Sequence, residues 1–100
     1  MSAFAKPEAG RAETGEIRIT LKLYASLTQF LPEAFRKSHA MPLEVDADTT
    51  IDSLLAPLGL PPTQVKLVVL NGVFVAPSKR ATTHFAEGDV LAIWPPVAGG

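Results

Sequence analysis

No cysteine occurs in the 100 residues. That absence removes disulfides, iron–sulfur ligation, a catalytic thiol and every thiolate metal site in one step. An excess of either charge is missing too: nine basic and ten acidic side chains leave a formal net charge of −1. Such a balance argues against a nucleic-acid partner and against an anionic membrane surface. No apolar run approaches the length of a membrane span, and the opening Met-Ser-Ala-Phe-Ala-Lys-Pro-Glu has no hydrophobic stretch like a secretory signal. The default location is therefore cytoplasmic. The only two histidines, His39 and His84, are far apart with no carboxylate cluster beside them, so they read as surface or loop residues and no metal site is expected. Ser26, Ser53 and Ser78 lack the glycines of a nucleophile elbow. No glycine-rich phosphate loop is present, so any ATP in the chemistry belongs to a partner and no cofactor is bound here. The chain is expected to carry no catalytic machinery of its own.

What is present is ordinary for a small globular domain: 47% apolar and 19% charged residues, too apolar for disorder. One hundred residues suffice for a single core. The charges are uneven along the chain. After residue 40, Glu44, Asp46, Asp48, Asp52, Glu87 and Asp89 face only Lys66, Lys79 and Arg80. This acidic half either steers docking onto a basic partner or is simply a solvated surface.

Residues 1–15 show no periodicity and read as a flexible N-terminal arm. From Glu16 the pattern changes. Ile17, Ile19, Leu21 and Leu23 alternate with polar residues, as in a half-buried strand. Leu27, Phe30, Leu31 and Phe35 recur at helical spacings interrupted by Pro32. Met41, Leu43 and Val45 form a second alternating run that should pair antiparallel with the first. Asp48 or Thr49 can cap a short helix with Ile51, Leu54, Leu55 and Leu58 on one face. Pro57 should damage its last turn, and Gly59 offers a left-handed stop. Val65 to Leu70 is apolar on both faces apart from Lys66, which suits an interior strand. Asn71-Gly72 is a two-residue hairpin turn leading into Val73–Val75, and Glu87-Gly88-Asp89 turns the chain into a last strand, Val90 to Trp94. The order β-β-α-β-β-β predicts an α+β fold, a β-grasp (ubiquitin-like) roll with one main helix across a mixed sheet. Its domain spans 16–94, with the last strand in mid-sheet beside the first.

Residues 95–100 then form a flexible tail: Pro95 and Pro96 stiffen the exit, Val97 and Ala98 follow, and Gly99 and Gly100 present no side chains. The last four residues, extended, reach roughly 13 Å, thin enough to thread a channel that a side chain would block. Such a tail delivers the Gly100 carboxylate, a poor acyl donor until its oxygen becomes a leaving group. Adenylation supplies that. An activated carboxyl group then accepts sulfur as a thiocarboxylate or is attacked by an amine.

Four segments carry a family resemblance: Leu21-Lys22-Leu23-Tyr24-Ala25-Ser26-Leu27, the Asn71-Gly72 hairpin, Glu87-Gly88-Asp89-Val90-Leu91-Ala92-Ile93, and Pro95-Pro96-Val97-Ala98-Gly99-Gly100. Together they resemble the MoaD/ThiS family of sulfur carrier proteins, and the last is most similar to the tails of molybdopterin synthase small subunits. The resemblance implies a cycle. A ubiquitin-activating-type enzyme uses ATP to adenylate Gly100, and a persulfide donor converts it to a thiocarboxylate. The tail then enters the molybdopterin synthase large subunit, or an equivalent acceptor, and gives up its sulfur. In that cycle Gly100 is the acyl position and Gly99 gives clearance, while Pro95, Pro96, Val97 and Ala98 contact the channel wall. Two other readings stay open: a ubiquitin-like modifier joined through Gly100 to amines, and a non-covalent β-grasp module. The partner surface is expected on the apolar outer sheet face near Val68, Leu70, Phe74 and Trp94, with the facing open by one register. For Trp94 and Phe74 a place in the core is the alternative.

Overall fold

The computed structural model describes residues 15–96. The expected arm, except Gly15, and the tail residues Val97, Ala98, Gly99 and Gly100 lie outside the described residues.

Five strands and one helix come in order: β1 (Glu16–Leu23), β2 (Ala40–Asp46), α1 (Ile51–Leu55), β3 (Leu67–Leu70), β4 (Val73–Phe74) and β5 (Val90–Trp94). They form an α+β β-grasp fold with a mixed sheet in the spatial order β2-β1-β5-β3-β4. β1 and β2 pair antiparallel, placing Ile17 opposite Val45, Ile19 opposite Leu43 and Leu21 opposite Met41. The apolar alternation of both runs thus lands on one face, where the helix covers it. Pro42, which cannot donate to a ladder, is tolerated because β2 is an edge strand. β5 enters between β1, to which it runs parallel, and β3, to which it runs antiparallel.

The cap lies one residue beyond Thr49 and two beyond Asp48, the two positions expected for it. Thr50 is the N-cap: its hydroxyl accepts from the Ser53 backbone N–H at 3.2 Å, while Ser53 Oγ accepts from the Thr50 N–H at 2.8 Å. This is a capping box with serine in place of the usual glutamate. After Leu55 the chain tightens into a 3-10 turn, Ala56–Leu58, because Pro57 has no N–H to continue the α-helical ladder. Gly59, at φ 77°, then ends the element in the left-handed region. The segment between β1 and β2 is two 3-10 turns, Ala25–Phe30 and Glu33–Phe35, on either side of Pro32.

Leu21, Leu23, Leu27, Leu31, Ile51, Val68, Leu91 and Ile93 are fully buried and fill the space between sheet and helix. They come from every layer of the fold, so the core sets the position of β5 from both sides.

Candidate functional site

The site expected from the sequence is the place where β5 hands the chain to Pro95 and Pro96. Both ladders continue to that point. The Lys66 N–H donates to the Trp94 carbonyl at 3.0 Å from the β3 side, and the Tyr24 N–H donates to the Ile93 carbonyl at 3.1 Å from the β1 side. Pro95 is buried and Pro96 is exposed, so the chain leaves the fold between the two prolines.

Three rings brace this exit. The Trp94 indole stacks on Tyr24 with centroids 4.6 Å apart and planes 7° from parallel, and Tyr24 stacks in turn on His39 at 5.4 Å and 21°. Two backbone outliers hold the stack in place: Ala25, directly after Tyr24, has φ 54°, and His39 itself has φ 60°. Side-chain-bearing residues avoid that region at a cost of order 1 kcal/mol each. His39 therefore belongs to this exit, which its isolated place in the sequence gave no sign of.

The other end of β5 is tied down as firmly. Asn71 and Gly72 adopt φ 51° and 85°, the paired positive values of a tight hairpin. Asn71 Nδ2 donates to Asp89 Oδ1 at 2.8 Å, and Asn71 Oδ1 accepts from the Val90 N–H at 2.8 Å. Asp89 Oδ2 accepts from the Ala86 N–H at 2.8 Å, and Glu87 Oε1 accepts from the Arg18 N–H at 2.9 Å. Two segments that carry the family resemblance, the Asn71-Gly72 turn and Glu87-Gly88-Asp89, are thus one hydrogen-bonded unit at the start of β5.

The expected partner surface divides by register. Leu67 lies opposite Trp94, and Val69 lies opposite both Ala92 and Phe74, all on the sheet face away from the helix. Phe74 is 56% exposed and Leu67 38%. Val68 is fully buried and Leu70 packs against the core. Both therefore point toward the helix and not outward as expected, because the register places Leu67 and Val69 on the outer face in their stead. Phe74 and Trp94 lie on that same outer face. The resulting patch, Leu67, Val69, Phe74, Ala92 and Trp94, runs from the β4 edge to the exit, with Lys22 in register beside Ala92.

Among the described residues no three histidine or carboxylate side chains gather as metal ligands would, and no helix is long and apolar enough to cross a membrane.

A family model described as Mut7-C ubiquitin matches residues 16–98. The molybdopterin synthase sulfur carrier subunit of Drosophila yakuba is 28% identical over 78 residues, covering 78% of this chain and 87% of that protein. The crystal structure of H. volcanii small archaeal modifier protein 1 superposes with a TM-score of 0.57 at 25% identity, covering 81% of this chain and 99% of the other. The solution structure of the Haloferax volcanii HVO 2177 protein gives a TM-score of 0.65 at 24% identity, covering 86% and 89% respectively. At that identity the last likeness speaks for the fold alone.

Proposed function

We propose, from the premise that this chain belongs to the Mut7-C ubiquitin family, within the MoaD/ThiS and ubiquitin-like β-grasp superfamily, that it is a carrier acting through the Gly100 carboxylate. The observation that supports this reading is the exit itself: a mid-sheet strand, hydrogen-bonded on both sides up to Trp94 and braced by Tyr24, leading into Pro95-Pro96. A rigid base makes the direction in which the chain departs reproducible, and a reaction in another protein's active site requires such positioning.

In this reading a ubiquitin-activating-type partner binds ATP and the Gly100 carboxylate attacks the α-phosphorus, releasing pyrophosphate. The acyl adenylate is then attacked by an amine, AMP leaves, and an amide joins Gly100 to a target protein. The likeness to a small archaeal modifier favours this amine-directed fate. Gly99 gives clearance in the partner's channel, Val97 and Ala98 touch its wall, and the outer patch around Phe74 and Trp94 docks the domain.

A second reading shares the first step. The outer sulfur of a persulfide donor displaces AMP to give an acyl disulfide, and a second thiol cleaves its S–S bond, leaving a thiocarboxylate on Gly100 and a disulfide on the donor. A molybdopterin synthase large subunit or equivalent acceptor consumes the thiocarboxylate. The 28% identity to a molybdopterin synthase sulfur carrier subunit favours it.

Intact mass after incubation with the adenylating enzyme and ATP separates the two. A covalent adduct to lysine mapped to Gly100 supports the modifier. Exchange of one oxygen for sulfur in the presence of a persulfide donor supports the sulfur carrier. An unchanged mass with an enzyme active on its own substrate overturns both.

A further inference from the structure

Arg80, just past the 3-10 turn Pro77–Lys79, is only 9% exposed. Its Nη1 donates to the Val65 carbonyl over a long 3.4 Å. Its Nε and Nη2 are shut off from solvent and have no acceptor. Among the described residues no carboxylate stands within ion-pair distance of it. A guanidinium cannot relieve such burial by losing its proton, and a buried charge without a counter-charge is strongly unfavourable.

Against this side chain lies a cavity of about 210 Å³, lined by Leu55, Ala56, Leu60, Pro62 and Val65 together with the acidic Asp52. The two unpartnered nitrogens occupy the same edge of the guanidinium, where their N–H bonds run parallel at the spacing of two carboxylate oxygens. The other edge is held only by the long bond to Val65, so side-on binding requires the guanidinium to turn its free edge toward the cavity at the expense of one weak hydrogen bond. We infer that Arg80 and this cavity form a socket for a single carboxylate group, bound side-on through Nε and Nη2. The apolar walls strengthen the ion pair by excluding water. Asp52 repels a dianion more than a monoanion, which favours a carboxylate over phosphate. Val65, one wall of the socket, precedes Lys66, whose N–H is bonded to the Trp94 carbonyl. Carboxylate binding at Arg80 is independent of either fate of Gly100.

The test is a titration of the native protein with sodium acetate at constant ionic strength, following the Arg80 Nε–H resonance by ¹H–¹⁵N NMR. A saturable shift is expected, accompanied by the Leu60 and Val65 amides, absent with sodium chloride and lost in Arg80→Lys, which keeps the charge but not the parallel pair. A linear drift matched by chloride, or an equal response in Arg80→Lys, overturns the socket. Tighter binding of inorganic phosphate than of acetate overturns the carboxylate assignment. If Arg80→Lys fails to fold, the native Nε–H signal against its chloride control still decides the matter. A second arm uses an N-acetylated, C-amidated tripeptide with one glutamate between two glycines. Half-saturation at about tenfold lower concentration than acetate, ~1.4 kcal/mol, assigns the carboxylate to a protein side chain; equal or weaker binding assigns it to a free acid.

Discussion

The ring of Tyr24, one residue beyond β1, lies flat against the indole of Trp94, the last residue of β5, at 4.6 Å and 7°. The contact joins the ends of two parallel neighbours at the point where the chain leaves the sheet. Tyr24→Leu keeps an apolar side chain and removes the stacking. A loss of about 1 kcal/mol is expected, which lowers Tm by roughly 4–8 °C in a domain of this size. A double-mutant cycle with Trp94→Leu should return most of that loss as coupling energy; additive single mutants would mean that the stack contributes nothing beyond burial.

Asn71 combines a backbone role with a side-chain role, and two substitutions separate them. Asn71→Gly retains the positive φ but loses the bonds to Asp89 and Val90, with an expected cost of about 1–2 kcal/mol. Asn71→Ala adds left-handed strain of about 1 kcal/mol. Urea denaturation of both variants checks the order; equal stabilities would show that the side-chain bonds account for the whole effect.

Phe74 and Leu67 are exposed on the face away from the helix, so truncating them should leave the fold nearly untouched. Phe74→Ala and Leu67→Ala are each expected to change stability by less than about 1 kcal/mol. Phe74→Ala is expected to raise KM for the activating partner by about tenfold, the range for an anchor at an interface. Unaltered KM with both variants would move the docking surface elsewhere.

Gly99→Val tests clearance in the tail. Tm should not change, because Gly99 lies beyond the last strand, whereas modification at Gly100 should fall by at least about 100-fold if a channel must close around the tail. Modification at the native rate would remove the requirement for a narrow channel.

Wherever apolar and polar residues alternate, the fold was legible in the sequence. Ile17 to Leu23 and Met41 to Val45 announce their strands and their inward faces, and Asn71-Gly72 announces the hairpin. Val65 to Leu70 announces a strand but not its facing, since a run apolar on both sides has no alternation to read. Only the pairing of Val68 with Ile93 fixes it. Thr50 does not stand out as the cap, because its reciprocal partner is Ser53 and not a glutamate or glutamine. The Asn71–Asp89 tie spans 18 positions, and the stacking of His39 on Tyr24 depends on two turns with positive φ at residues other than glycine. Such contacts arise from the assembled sheet and leave no local signal.

The place of β5 in the sheet has a consequence for how the molecule is made. Until that strand arrives, β1–β2 and β3–β4 are separate pairs, and no strand pairing joins them. The strand that unites them comes after the other four in the chain and pairs with the first, so closure of the sheet is a long-range, late event in folding. The segment beyond Trp94 acquires its fixed base only in that step. A partly folded chain has no rigid exit to offer, so an enzyme that recognises the exit also discriminates finished molecules from unfinished ones.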